Sequence, residues 1–102
     1  MAIATGRTTT VSSATTSDWV KLKTGTNRIY VSCATWSTTS VAMQVSNDAS
    51  TAFPCEDSSG QIVCTSNKAF DVDGPGYFRM NCTAYAANVV TMAVTNPIDD
   101  RL

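Results

Sequence analysis

Apolar side chains recur at every second position through most of this chain. Phe70 and Val72 alternate with Asp71 and Asp73. Beyond Asp73-Gly74-Pro75-Gly76, Phe78, Met80, Cys82 and Ala84 alternate with Tyr77, Arg79, Asn81 and Thr83, and Val90, Met92 and Val94 repeat the pattern. A period of two marks a strand with one face turned to a core. The same period runs through Val20 and Leu22, through Ile29, Val31 and Cys33, and through Val41, Met43 and Val45. It predicts strands over 19–23, 28–35, 41–45, 61–65, 69–72, 77–84 and 89–95. A weaker strand over 51–55 belongs at an edge, because Pro54 cannot donate to a ladder. Turns are expected at Thr24-Gly25-Thr26-Asn27, Ser37-Thr38-Thr39, Asn47-Asp48, Asp57-Ser58-Ser59-Gly60 and Asp73-Gly74-Pro75-Gly76, where Gly, Asn, Asp and Ser concentrate.

Short strands at this regular spacing predict an all-β protein. The expected form is a single antiparallel β-sandwich, jelly-roll-like, of about eight short strands in meander order with an extended N-terminal arm. The sandwich would occupy residues 18–97. Residues 1–17 read MAIATGRTTTVSSATTS, with little to bury beyond Ile3 and Val11. They are either a frayed terminus or an arm that orders by adding to a neighbouring subunit. Pro97 ends the last strand, and residues 98–102 form a tail.

Composition sharpens this picture. The 102 residues suit one domain with a core of its own. There are 16 Thr and 11 Ser against few charged groups, so the outward strand faces are hydroxyl-rich. The formal net charge is −1, and the cations cluster no more tightly than Lys21-x-Lys23. Nucleic-acid binding, which needs several phosphate-neutralising side chains on one face, is not expected. No apolar run reaches the ~18 residues of a membrane span. Met1 to Arg7 lacks a basic start followed by an apolar stretch, so either the chain matures in a cytoplasm, which Met1 favours, or a signal was cut away.

Four cysteines, Cys33, Cys55, Cys64 and Cys82, allow three disulfide connectivities. Cys33 and Cys82 fall in phase with core positions and read as small buried hydrophobes. Cys55 and Cys64 flank Glu56-Asp57-Ser58-Ser59-Gly60, and a hairpin turning at Ser59-Gly60 would set them opposite each other. Both a bridge and two free thiols fit that spacing, although thiols in a reducing compartment stay free. No two cysteines show the close pairing of a zinc site.

Candidate chemistry is sparse. The chain has no histidine, so the usual base near neutral pH is missing, and its carboxylates are scattered among turns and termini. Asp71-Val72-Asp73-Gly74 has the start of a calcium loop, but Pro75, Tyr77 and Phe78 supply no further ligands, so it reads as a turn. Asn81-Cys82-Thr83 matches a glycosylation sequon but lies inside a predicted strand. An enzyme is not expected, nor a cofactor or metal.

One resemblance rests on the order of the elements. Trp19-Val20-Lys21-Leu22, then Ile29-Tyr30-Val31 leading to Thr35-Trp36, then Val41-Ala42-Met43-Gln44-Val45-Ser46-Asn47-Asp48, and later Asp73-Gly74-Pro75-Gly76-Tyr77-Phe78-Arg79 resemble small β-sandwich accessory proteins of tailed-bacteriophage virions. The likeness covers residues 18–95. It implies a virion structural protein: a capsid decoration (cement) protein, a head fibre or a tail component, often a homotrimer. Its partner would be the major capsid protein or another virion protein, and its location the capsid surface after synthesis in the host cytoplasm.

The alternative is a glycan-binding module, as on a tail fibre or in a small lectin. Exposed aromatics beside Asp and Asn are its usual tools. The candidate interface or ligand contacts are Trp19, Tyr30, Trp36, Tyr77 and Tyr85, with Asn47, Asp48, Asp71 and Asp73 as hydrogen-bonding neighbours.

Overall fold

The computed structural model describes Ile3, Ala4 and residues 6–96; the expected end at Pro97 and the tail of residues 98–102 lie outside the described residues. The described chain is all β and forms an antiparallel sandwich without a helix. Its strands are β1 (Thr8–Val11), β2 (Val20–Cys33), β3 (Ser40–Ser46), β4 (Phe53–Pro54), β5 (Glu56–Asp57), β6 (Gly60–Gln61), β7 (Val63–Cys64), β8 (Lys68–Ala84) and β9 (Val90–Thr95). Seven of them join in the order β1-β9-β2-β8-β3-β4, with β7 also on β3, while β5 and β6 form a separate hairpin.

Two departures from the sequence expectation define this fold. First, β2 and β8 are long, 14 and 17 residues, because two of the expected turns do not reverse the chain. Thr24-Gly25-Thr26-Asn27 is instead a bulge: the register steps from Leu22↔Gly76 to Gly25↔Gly74, with one extra residue on β2. The buried Asn27 amide repairs the broken ladder. Its Oδ1 accepts from the Lys23 N–H at 3.1 Å, and its Nδ2 donates to the carbonyls of Lys23 and Gly25 at 2.8 and 3.1 Å. The facing segment Asp73-Gly74-Pro75-Gly76 is a kink. A Cβ on Gly74 would stand 2.1 Å from the Lys23 carbonyl oxygen, so only glycine lets the two strands meet there.

Paired, the bulge and the kink fold both long strands over. β8 pairs with β2 from Lys68 across the kink to Phe78, and with β3 from Tyr77 to Ala84. These pairings close on a single core of Ile29, Val31, Val41, Met43, Phe78, Met80, Val90, Met92 and Val94, all essentially inaccessible. Each such side chain contributes about 1.5–3 kcal/mol by leaving water.

Second, the strands do not form a meander. β2 lies between β8 and β9, both distant in sequence. The Thr/Ser-rich N-terminal stretch neither frays nor reaches away from the domain over its described length. Thr8–Val11 pairs with β9, and the chain then crosses to the edge of β8, where Ser17 N–H donates to Met80 O at 2.9 Å and Cys82 N–H donates to Thr15 O at 2.9 Å. Edge strands with unpaired backbone groups are a liability, and this segment covers two of them.

All four cysteines are free and buried. The β5–β6 hairpin turns where expected, but its register sets Ile62 opposite Cys55, through Ile62 N–H to Cys55 O at 2.8 Å. Cys64 lies two residues further on, paired with Val41.

Candidate functional site

The outer face of the half-sheet β1, β9, β2 and β8 is built by register. Tyr30 on β2 stands between Ala93 on β9 and Ala69 on β8, and Ala93 stands beside Thr8 on β1. The next row outward is Ser32, Thr91 and Thr10; the row on the other side is Asp71, Arg28 and Thr95. Their inward neighbours Ile29, Val31, Met92 and Val94 form the core, so alternation alone turns this set to the outside. Tyr30, 46% exposed, is thus ringed by small hydroxyl and methyl groups. Arg28 and Asp71 pair across strands at 3.7 Å and are about half exposed, which contributes little stability, and Lys68 borders a shallow hollow shared with Tyr30, Ser32 and Ala69.

A second feature lies where β3 parts from β8. Ser46 is the last β3 residue paired with β8, opposite Tyr77, and β4 joins β3 through Val45↔Phe53. Between them opens a notch of about 420 Å³ lined by Phe53, Pro75 and Tyr77, with Asn47 and Asp73 among its polar residues. The glycine kink makes this opening. A Cβ on Gly76 would press on the Ser46 carbonyl at 3.1 Å, at a φ of +145° that side chains rarely adopt. Asp73 Oδ1 accepts from Thr26 Oγ1 at 3.2 Å, which fixes the carboxylate at the rim.

The five aromatic candidates divide accordingly. Tyr30 and Tyr77 stand on these two features and are not brought together. Trp19 cannot be a contact: it is fully buried, and the Arg79 guanidinium covers its ring at 4.3 Å from the centroid. Trp36 is half-buried and tied down by donating from Nε1 to Asn67 Oδ1 at 2.8 Å. Tyr85 is half-buried and packs on the core. Both act as strand-end packing.

The hydrogen-bonding candidates divide as well. Asp48 is consumed by its own loop: its Oδ1 accepts from Thr51 N–H at 2.8 Å, Ser46 Oγ at 2.8 Å and Ser50 N–H at 2.9 Å. Those donors, the Thr51 amide first, hold its carboxyl below the ordinary aspartate range. Asp71, one step earlier on the same face of β8, serves Arg28, leaving Asn47 and Asp73 at the notch. Phe53, 51% exposed, is the residue that sequence reading passed over. Its available signal was an aromatic placed next to Pro54 on an edge strand, where a side chain has only one flank to pack against.

Among the described residues no three His, Cys, Asp or Glu side chains gather as a metal site would. Burial pushes the Cys55, Cys64 and Cys82 thiols upward, and the Asp57 and Glu56 charges add to the shift at Cys55. Such thiols are poor nucleophiles.

Compared with known proteins, the chain matches no family model, no curated protein and no solved structure.

Proposed function

We propose that this protein is a non-enzymatic structural component of a tailed-bacteriophage virion, a capsid decoration protein that docks on and stabilises the head shell. The resemblance of residues 18–95 to virion accessory sandwiches supports the class. The observation that carries the docking is the face around Tyr30. A sparsely charged surface of Thr and Ser hydroxyls makes hydrogen bonds at far lower desolvation cost than ionised groups would, and a central tyrosine among small residues has the form of an interface anchor.

Size argues for repetition. Four strands at ~4.8 Å spacing span about 14 Å, so the face is well below the ~800 Å² per partner of a standard interface. One copy docked this way binds weakly, and a homotrimer on a repeating shell gains by multivalency. The major capsid protein is the proposed partner, and the capsid surface the location after synthesis in the host cytoplasm.

The test is binding of the purified protein to heads that lack it. Tyr30→Arg, on an exposed position that leaves the core intact, is expected to weaken occupancy about thirtyfold, the scale of a hot-spot loss. Equal occupancy by wild type and variant would refute docking through this face. A second role, saccharide binding, is favoured by one specific feature, the notch at Phe53 and Tyr77.

A further inference from the structure

We infer that the notch between β3, β4 and β8 is a subsite for a single neutral pyranose ring. Three rings, those of Phe53, Pro75 and Tyr77, converge on one concavity of about 420 Å³. That volume lies within the range of small-ligand sites, about 300–1,000 Å³. The C–H face of a sugar packs on aromatic and proline rings, while its hydroxyls need acceptors and donors at the edge.

Both are in place. The Asp73 carboxylate has Oδ1 held by Thr26 and is thereby oriented at the rim, with Oδ2 left to accept from a ligand hydroxyl pair. The Asn47 amide offers a donor and an acceptor from a loop fixed by the Asp48 hydrogen bonds. Phe53, half exposed beside Pro54, has an uncovered ring on a strand too short to shield it.

Charge selects the ligand class. No Lys or Arg lines the notch, and its one ionised group is Asp73. The nearest cation in register, Lys21 opposite Tyr77, stands outside the lining. Among the described residues the lining itself holds one carboxylate and no cation, so phosphorylated, sulfated or carboxylated sugars meet a like charge there. The site takes neutral hexoses or N-acetylhexosamines. This inference stands apart from shell docking, whose face centres on Tyr30 and meets β8 at Ala69 and Asp71, whereas the notch gathers around the kink from Asp73 to Tyr77.

The experiment titrates the isotope-labelled full chain with glucose, galactose, mannose and N-acetylglucosamine, followed by amide chemical shifts. At least one sugar is expected to move the signals of Asn47, Phe53, Asp73 and Tyr77 in a saturable way, with affinity reduced about tenfold or more in Phe53→Ala and in Asp73→Asn. Phe53 is exposed, so its variant keeps the wild-type spectrum elsewhere, and Tyr30→Arg leaves the titration unchanged. No saturable shift with any of the four sugars would overturn the inference. So would equal binding by the Phe53 variant, or a response confined to anionic sugars such as glucuronate.

Discussion

The rings of Phe70 and Phe78 meet with centroids 6.0 Å apart, although both belong to one strand and eight residues separate them. A straight strand would part them by about 27 Å. The kink at Asp73-Gly74-Pro75-Gly76 therefore folds β8 onto itself, and the sandwich depends on it. Gly74→Ala is expected to cost about 3 kcal/mol or more, since its Cβ would stand 2.1 Å from a backbone oxygen that no rotamer can move. Gly60→Ala, open in space but at a φ of +113°, should cost about 1–2 kcal/mol, and Gly6→Ala close to nothing. Urea unfolding of the three variants checks the order.

Trp19 and Arg79 form a stacked pair on the far face of β8. Arg79 is 7% exposed, donates from Nε to Gln44 Oε1 at 2.7 Å and stacks on Trp19, while Nη1 has no hydrogen-bond partner. Burial lowers its pKa, a sign that the charge is held at a cost. Arg79→Met is therefore expected to match wild-type stability within about 1 kcal/mol or exceed it. Trp19→Ala, which empties a fully buried site, should lose about 3–5 kcal/mol. Thermal unfolding distinguishes these outcomes, and iodide should quench Trp36 but not Trp19 in the native protein.

Alternation along the chain made the core legible. Ile29, Val31, Val41, Met43, Phe78, Met80, Val90, Met92 and Val94 read as inward, and all are buried. The two irregularities did not read correctly, because Gly, Asn, Asp and Pro serve a chain reversal and an irregularity inside a paired strand alike. Only the long-range pairing of Gly25 with Gly74 tells these apart, and no local window contains it. Trp19 is out of phase with the core-facing Val20, and a covering arginine sixty residues away buries it. At the candidate site Tyr30, Tyr77, Asn47 and Asp73 were visible in the sequence, whereas their division between the Tyr30 face and the notch follows from the kink.

Acid should loosen one loop before the rest. Asp48 has a folded pKa below its unfolded value, so its contribution is fully present above about pH 4 and is lost as pH falls through the lower folded value. Amide exchange at Ser50 and Thr51 is expected to accelerate only below pH 4, and Asp48→Ala should show the fast exchange at neutral pH. Protection unchanged in that variant would contradict the assignment.

The thiols should be inert. Cys55, Cys64 and Cys82 have pKa values raised by burial, so at pH 8 the thiolate fraction is below that of an ordinary cysteine. A thiol-specific reagent is expected to label the native protein slowly and all four cysteines once it is unfolded, and reductant should leave the thermal midpoint unchanged.

This sandwich is proposed to act by laying a sparsely charged four-strand face on a partner surface. Single-particle imaging of mature heads at side-chain resolution tests it most directly. The predicted result is density for this chain on the shell, with Tyr30, Thr8, Thr91 and Ser32 against the capsid and the Phe53 notch open to solvent. Particles without the protein, or a copy attached through any other face, would contradict it.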